Sequence, residues 1–420
     1  MTKRRRMRAT LLAGALLLDQ SAQAETLPQA IAMAWATNPE LAAARARQDA
    51  LAETPEQARA AGRATAELGG NAGYDRLGYG RSGSSGVTAT LPIWTGGRVR
   101  AAVRAASSDV AAGVERLRDA EAAVLERVVV AYADLLYNQR AVETARVGIA
   151  RLDAQVAETQ SRFELGQATR TDVAQLEAQR ASVAANLADA EGALATTQAA
   201  YRAVVGEDAG VLSAEVAPSP LLPRTLADAR DAATAANPLL LAQRRVVDAS
   251  ATRIKQARAE RAPSVDLAGG YGRGVVIDGS DWRGFDSAAT IGASVRLPLL
   301  TGGLVSSRVR QAEATWRAER FETDAAAREV VRGADAAWAD LTAAQARLRA
   351  STDGLSAADL ALKGVRAEYG FGLRSTIDIL VADQSFRAAQ LDVARARADT
   401  LTAQAALLRA TGRMQSDAFR

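Results

Sequence analysis

The chain has 420 residues, of which 24% are charged and 4% aromatic, with 52 basic and 48 acidic side chains. It contains no cysteine and no histidine. Disulfide bonds and thiolate chemistry are therefore excluded, as are the commonest general base and metal ligand. We expect no enzyme activity, no catalytic residues, no bound metal and no cofactor.

The first 24 residues predict a cleavable signal peptide. A basic start precedes an apolar stretch at residues 11–18 and a small-residue exit that ends at Ala24. We expect cleavage after Ala24, so that Glu25 begins the mature chain. The leader holds five basic residues and one acidic residue, which leaves 47 of each. A neutral mature chain gives no reason to expect nucleic acid as a partner.

The first half of the mature chain predicts helix, then strands, then a helical hairpin. A helical stretch runs from about residue 27 to 63, and the Gly-rich segment after it alternates Val87, Ala89 and Leu91 with threonines. The run that follows Gly97 has apolar residues seven apart, which favours a coiled coil. The positions of this repeat are Val128, Leu135, Val142, Ile149, Val156 and Phe163. At 1.5 Å per residue this helix would be about 100 Å long, which is too long for a compact enzyme domain.

The second half repeats the first. The segment that begins at Leu91-Pro92 returns at Leu297-Pro298, and the segment that begins at Phe163 returns at Tyr369, both with an offset of 206 residues. Asn38-Pro39 returns at Asn237-Pro238 with an offset of 199, so the second copy has gained seven residues, which we assign to a longer loop at residues 278–284. We predict a first repeat at 25–206, a proline-rich linker at 207–224, a second repeat at 225–412 and a tail at 413–420.

The alternating segments indicate strands with one apolar face and one polar face. In the second copy Ile291, Ala293 and Val295 alternate with polar residues and glycine. We predict two strands in each repeat, hence four in the chain. No stretch after the leader is apolar enough for a spanning helix, and this alternation is typical of an outer-membrane barrel. Four strands cannot close a barrel, so identical chains would have to share one.

The two helix breaks are the candidate functional sites. In the first, Gly166 ends a helix, Gln167 follows, and Thr169, Thr171 or Asp172 caps the return helix. The second break contains the corresponding residues, which are Gly372, Leu373, Ser375 and Asp378. On the residues alone, capping is the simplest role for the two aspartates.

These features together resemble the TolC family of outer-membrane efflux and secretion proteins. The resemblance covers essentially the whole mature chain, from the opening Leu27-Pro28-Gln29 through both Leu-Pro segments to both hairpin tips. The first tip is most similar to members that serve type I protein secretion. The resemblance implies a mainly α-helical homotrimer with a twelve-strand barrel in outer-membrane lipid and a long periplasmic helical tunnel.

The resemblance also implies roles for the tip residues. Tyr369 and Arg374 match residues that hold the closed state, with Thr171 and Asp172 as partners on neighbouring hairpins. Asp378 matches an acidic ring at the constriction, whereas Val381 stands where the family pattern has a second aspartate. We therefore expect a single acidic ring, and this departure puts cation selectivity at the constriction in question. Asp383 is the other acidic residue nearby that could compensate.

The other tip residues would dock a periplasmic membrane-fusion adaptor, connected to an inner-membrane ABC or proton-driven pump. The function implied is a passive outer-membrane exit duct for protein secretion or multidrug efflux. The alternative is a soluble periplasmic coiled-coil adaptor or scaffold, although such proteins normally carry a single hairpin. The sequence does not identify the cargo.

Overall fold

The computed structural model describes residues 24–75, 80–214, 216–278 and 281–419. The predicted leader lies outside these residues except for Ala24. The described elements of the first half are α1 (Leu27–Thr37), α2 (Pro39–Ala52), α3 (Thr54–Ala60), β1 (Thr65–Asp75), β2 (Gly80–Trp94), α4 (Arg98–Glu164) and α5 (Arg170–Val205). Those of the second half are α6 (Leu226–Ala236), α7 (Pro238–Ala259), β3 (Ser264–Asp278), β4 (Asp281–Arg296), α8 (Leu304–Gly370) and α9 (Thr376–Ala410).

The same order of elements therefore occurs twice, as the repeated sequence predicts. The helices predicted as one stretch before each strand pair are interrupted at the Asn-Pro pairs, because proline cannot continue a preceding helix. The Asn38 side chain accepts hydrogen bonds from the backbone of Glu40 and Leu41, and its amide nitrogen donates to the carbonyl oxygen of Val204 at 2.8 Å. Each Asn-Pro pair thus starts a new helix and ties it to the end of a hairpin, since Asn237 makes the equivalent bonds in the second half.

The seven extra residues of the second copy lengthen its strands. Asp278 pairs with Asp281, and Ile277 pairs with Trp282, in an antiparallel ladder. The expectation of a longer loop at residues 278–284 is therefore wrong for 278 and 281–284, and residues 279–280 lie outside the described chain. Polar and glycine residues in this segment favoured a loop, but strand pairing satisfies the backbone there.

The four strands form one antiparallel sheet in the order β1-β2-β3-β4. Leu68, Val87, Tyr271 and Ala289 are paired across the strands as one row, and all four are exposed. The neighbouring row contains Glu67, Thr88 and Thr290, so the apolar and polar faces alternate as predicted. Within the described residues, the outer edges of β1 and β4 have no strand beside them.

The long helices form two antiparallel hairpins, α4 with α5 and α8 with α9. The seven-residue stripe is buried at Val128, Leu135 and Val142, and becomes half-buried at Ile149 and Val156. The main core lies beside the middle of α4, where α5 and α9 end, and there Tyr132 and Tyr201 are fully buried with residues of α1 and α9. In the described part of the chain no helix is both long and apolar enough to cross a membrane.

Candidate functional site at the two hairpin tips

The first tip is a tight turn between α4 and α5. Gly166 has a φ of +72°, a conformation that favours glycine, and the Gln167 backbone donates to the carbonyl oxygen of Arg162 at 2.8 Å. The return helix begins at a reciprocal cap, in which the Asp172 backbone donates to Thr169 Oγ1 and the Asp172 carboxylate accepts from the Thr169 backbone. This turn fixes the direction of the return helix.

The second tip repeats this construction. Gly372 has a φ of +73°, and the Leu373 backbone donates to the carbonyl oxygen of Glu368 at 3.0 Å. Ser375 and Asp378 form the reciprocal cap, with the Ser375 backbone 2.9 Å and its hydroxyl 2.8 Å from Asp378 Oδ2. The predicted capping role of both aspartates is therefore present in the structure.

The caps stabilise the ionised form of the two aspartates. Hydrogen bonds from the Thr169 backbone and hydroxyl hold the pKa of Asp172 below its ordinary value, with a smaller contribution from the Thr376 side chain. Bonds from Ser375 lower the pKa of Asp378 in the same way, and nearby Arg374 lowers it further. Both carboxylates are therefore ionised at neutral pH.

The two tips of one chain contact each other. Arg162 Nη1 donates to the Tyr369 hydroxyl at 3.3 Å, and the Arg162 guanidinium carbon lies 5.5 Å from the centre of the Tyr369 ring. The predicted site residue Tyr369 is therefore placed against the first hairpin.

Arg374 pairs within its own tip. Its Nε donates to Glu368 Oε2 at 2.6 Å, and this bond raises the pKa of Arg374. Thr171 is exposed beside the first tip. The proposed contacts of Arg374 with Thr171 and Asp172 concern a neighbouring chain, so they stay a prediction.

Three positions on α9 bear on the acidic ring, namely Asp378, Val381 and Asp383, and they differ in their surroundings. Val381 is exposed in the position of the family's second acid, whereas Asp383 is buried. The Asp383 carboxylate accepts from Arg387 Nε at 2.8 Å and from Arg366 Nη2 at 3.3 Å. Asp383 is therefore paired inside the hairpin and does not add a free carboxylate to the exposed face that carries Val381.

Two tip residues were missed as site residues in the sequence, namely Arg162 and Glu368. They occupy equivalent positions in the two repeats, again 206 residues apart, and carry opposite charges. The signal that could have identified them is this change from a basic to an acidic residue at the same position of the two repeats.

Tandem helical hairpins joined to a four-strand antiparallel sheet form a fold that also occurs in a solved outer-membrane protein. The crystal structure of the outer membrane protein VceC from Vibrio cholerae has the same fold, with a TM-score of 0.74, 23% sequence identity, and coverage of 92% of this chain and 96% of that one. Two hairpins follow two strand pairs in this fold, whereas a soluble adaptor was expected to carry a single hairpin.

The family model described as "Outer membrane efflux protein" matches residues 30–207 and 229–413, and the chain belongs to that family. It is 33% identical over 415 residues to outer membrane efflux protein BepC of Brucella suis, covering 97% of this chain and 90% of BepC. It is also 26% identical to the alkaline protease secretion protein AprF of Pseudomonas aeruginosa, over 70% of this chain and 62% of AprF. The resemblance inferred from the repeats and tips is thereby confirmed.

Proposed function

We propose that this protein is the outer-membrane exit channel of an export system, assembled from three copies of the chain. The observation that carries the proposal is the open four-strand sheet. Its apolar face is exposed at residues such as Leu68 and Ile291, and the outer edges of β1 and β4 are unpaired within the described chain. Unpaired edges are not tolerated in lipid, so β1 of one copy would pair with β4 of the next.

Three copies would give about twelve strands, within the range of closed outer-membrane barrels. The helices α4 and α8, each about 100 Å long by the helical rise, would surround a periplasmic tunnel together with the return helices α5 and α9, which are about half as long. The protein would conduct cargo passively and catalyse no reaction. Membership of the outer membrane efflux protein family supports this role and this location.

The leader would be removed after Ala24. The contacts of Glu25 support this boundary, because its carbonyl oxygen accepts from the Ser213 backbone at 2.8 Å and from the Tyr132 hydroxyl at 2.9 Å. The Tyr201 hydroxyl donates to the Glu25 carboxylate. Burial, together with the nearby Glu25 charge, raises the pKa of Tyr132 to about 12. Glu25, which cleavage would expose as the first residue, is thus held in place by packed residues.

The tips would form the periplasmic end, where the channel meets a membrane-fusion adaptor and, through it, an inner-membrane ABC or proton-driven pump. Apolar side chains protrude there, with Leu165, Phe371 and Leu373 each more than 70% exposed. Exposed apolar residues at the end of a hairpin fit a protein-docking surface. Gly166, Gln167, Thr169, Gly372 and Ser375 would shape that surface.

The tips would also close the resting channel. Tyr369 with Arg162, and Arg374 with Thr171 or Asp172 of a neighbouring chain, would hold them together. Asp378 would contribute a single acidic ring to the constriction, since an ionised carboxylate repeated around a narrow axis attracts cations. The process served would be type I protein secretion or multidrug efflux, since the name of AprF supports the first and the name of BepC supports efflux.

Planar-bilayer recording of the purified protein tests this function. The wild-type protein should insert as discrete ion-conducting channels, and Asp378→Asn should lower the preference for cations over anions. Protein that purifies from outer membranes but never conducts would contradict the channel function. A conducting Asp378→Asn channel with unchanged ion preference would contradict only the acidic ring.

A further inference from the structure

The second hairpin carries a buried carboxylate a short distance behind its tip. Asp383 in α9 is only 3% exposed, and it lies seven positions after Thr376, the first residue of that helix. By the helical rise this is about 10 Å along the axis. A carboxylate removed from water is stable only when cations and hydrogen bonds replace its hydration. Its partners therefore show what holds it there.

Three arginines surround this carboxylate. Arg387 on the same helix donates to Oδ2 at 2.8 Å, and Arg366 of α8 donates to Oδ1 at 3.3 Å. Arg151 of α4, in the first hairpin, lies 3.8 Å from Oδ1. We call these four residues the Asp383 cluster. It joins the two helices of the second hairpin and reaches across to the first.

The first hairpin is shaped to receive the cluster. A Cβ added at Gly148 of α4 would lie 3.1 Å from Arg387 Cδ and 3.3 Å from Arg387 Nη1, so glycine allows this arginine to lie on the α4 backbone. The same point is 3.5 Å from Val183 of α5. Val183 belongs to an apolar cluster drawn from both hairpins, whose buried members are Leu152, Leu176, Val183 and Leu380.

The charges of the cluster are unequal, since one carboxylate faces three guanidinium groups. If the carboxylate were neutral, the three cations would be left facing one another in a partly buried site, where repulsion is poorly screened. The packing of Arg387 on Gly148 therefore depends on the charge of Asp383. Among the described residues, Arg151 is the one cation of the first hairpin within ion-pair distance of Asp383. Asp383 and Arg151 therefore both affect the contact between the hairpins.

We propose that Asp383 is a positioning residue that seats the second hairpin on the first, and so sets the resting position of the tip residues Tyr369 and Asp378. The proposal deepens the proposed function, because it rests on a channel whose tips rest in a closed position. Loss of the Asp383 charge unseats the hairpin near its tip and leaves the main core intact.

The absence of cysteine from the sequence allows a direct test by thiol labelling. Val183→Cys places one thiol beside Gly148, where Arg387 also packs, and Val205→Cys places one in the main core. Both positions are buried. In full-length protein purified in detergent, Asp383→Asn should raise the maleimide labelling rate at position 183 by at least about tenfold, because labelling follows local opening. The rate at position 205 should not change.

Three further variants complete the test. Asp392→Asn, an exposed aspartate on the same helix, should leave both rates unchanged, and Asp383→Glu should keep the rate at 183 close to wild type. Arg151→Gln keeps Asp383 paired with two arginines, and should raise the rate at 183 by a smaller factor even if Asp383→Asn does not fold.

Unchanged labelling at 183 in both Asp383→Asn and Arg151→Gln would overturn the proposal. An equal rise at 183 and 205 would also overturn it, because the cluster would then stabilise the whole chain. Thiol labelling does not depend on ion conduction. If the wild-type protein never conducts, the proposed channel function is contradicted, but the labelling rates still test whether Asp383 seats the second hairpin.

Discussion

The contact between Arg162 and Tyr369 should bias the channel toward its closed state. Tyr369→Phe removes the hydroxyl that accepts from Arg162 at 3.3 Å and keeps the ring. Such a hydrogen bond contributes about 0.5–1 kcal/mol. Arg162→Gln also removes the cation from its position 5.5 Å from the ring centre, which is worth about another 0.5–1 kcal/mol.

In a trimer these free energies count three times, once for each chain. If three tips open together, Tyr369→Phe changes the closed-to-open balance by about 1.5–3 kcal/mol, or roughly 10-fold to 100-fold. Arg162→Gln changes it by about 3–6 kcal/mol, or roughly 10²-fold to 10⁴-fold. Single-channel recording should show more time in high-conductance states for Tyr369→Phe, and more again for Arg162→Gln.

A double-mutant cycle separates this contact from unrelated effects. The double variant should behave like Arg162→Gln alone, because the hydroxyl has no partner once the guanidinium is gone. Arg140→Gln, which removes an exposed ion pair with Glu143 on the same helix, is the matched control and should record like wild type. If Tyr369→Phe and Arg162→Gln both show the same open times as wild type, the contact between Arg162 and Tyr369 does not stabilise the closed state.

Three other predictions concern stability. Gly412→Ala should destabilise the chain by more than about 2 kcal/mol in thermal unfolding, because φ is +69° and the new Cβ would lie 2.2 Å from the Ala236 carbonyl oxygen. Tyr201→Phe should cost about 1–3 kcal/mol in chemical denaturation by removing the partner of the Glu25 carboxylate, while exposed Tyr271→Phe should cost almost nothing. The pKa of Asp378 is lowered by folding, so its cap should be fully present above pH 3.8 and be lost only as pH falls through the lower folded value, as hydrogen-exchange protection of the first turn of α9 can measure.

Much of the fold was predictable because repeated sequence and long apolar periodicity are strong signals. The offset of 206 residues located both hairpins, and the seven-residue stripe gave α4 its length. The strand extension around residue 280 was not predictable, since glycine and aspartate are common in loops and a ladder can still pair them. Strand pairing in this segment depends on which strand lies beside it, and the composition of the segment itself carries no information about that neighbour.

The tips were predictable in part. Glycine at a helix end and a threonine or serine three residues before an aspartate indicated the turns and caps that Gly166, Thr169 and Asp172 form. The contact of Arg162 with Tyr369 depends on how two hairpins, 207 residues apart in sequence, lie against each other. The burial of Asp383 depends on the same packing. Neither can be inferred from spacing within one helix.

The central claim is that three chains share one barrel in the outer membrane. The most direct test is the native mass of the protein extracted in detergent from isolated outer membranes. We predict a particle of three mature chains in that fraction. A monomer in the soluble periplasmic fraction would contradict the shared barrel, and with it the proposed exit channel.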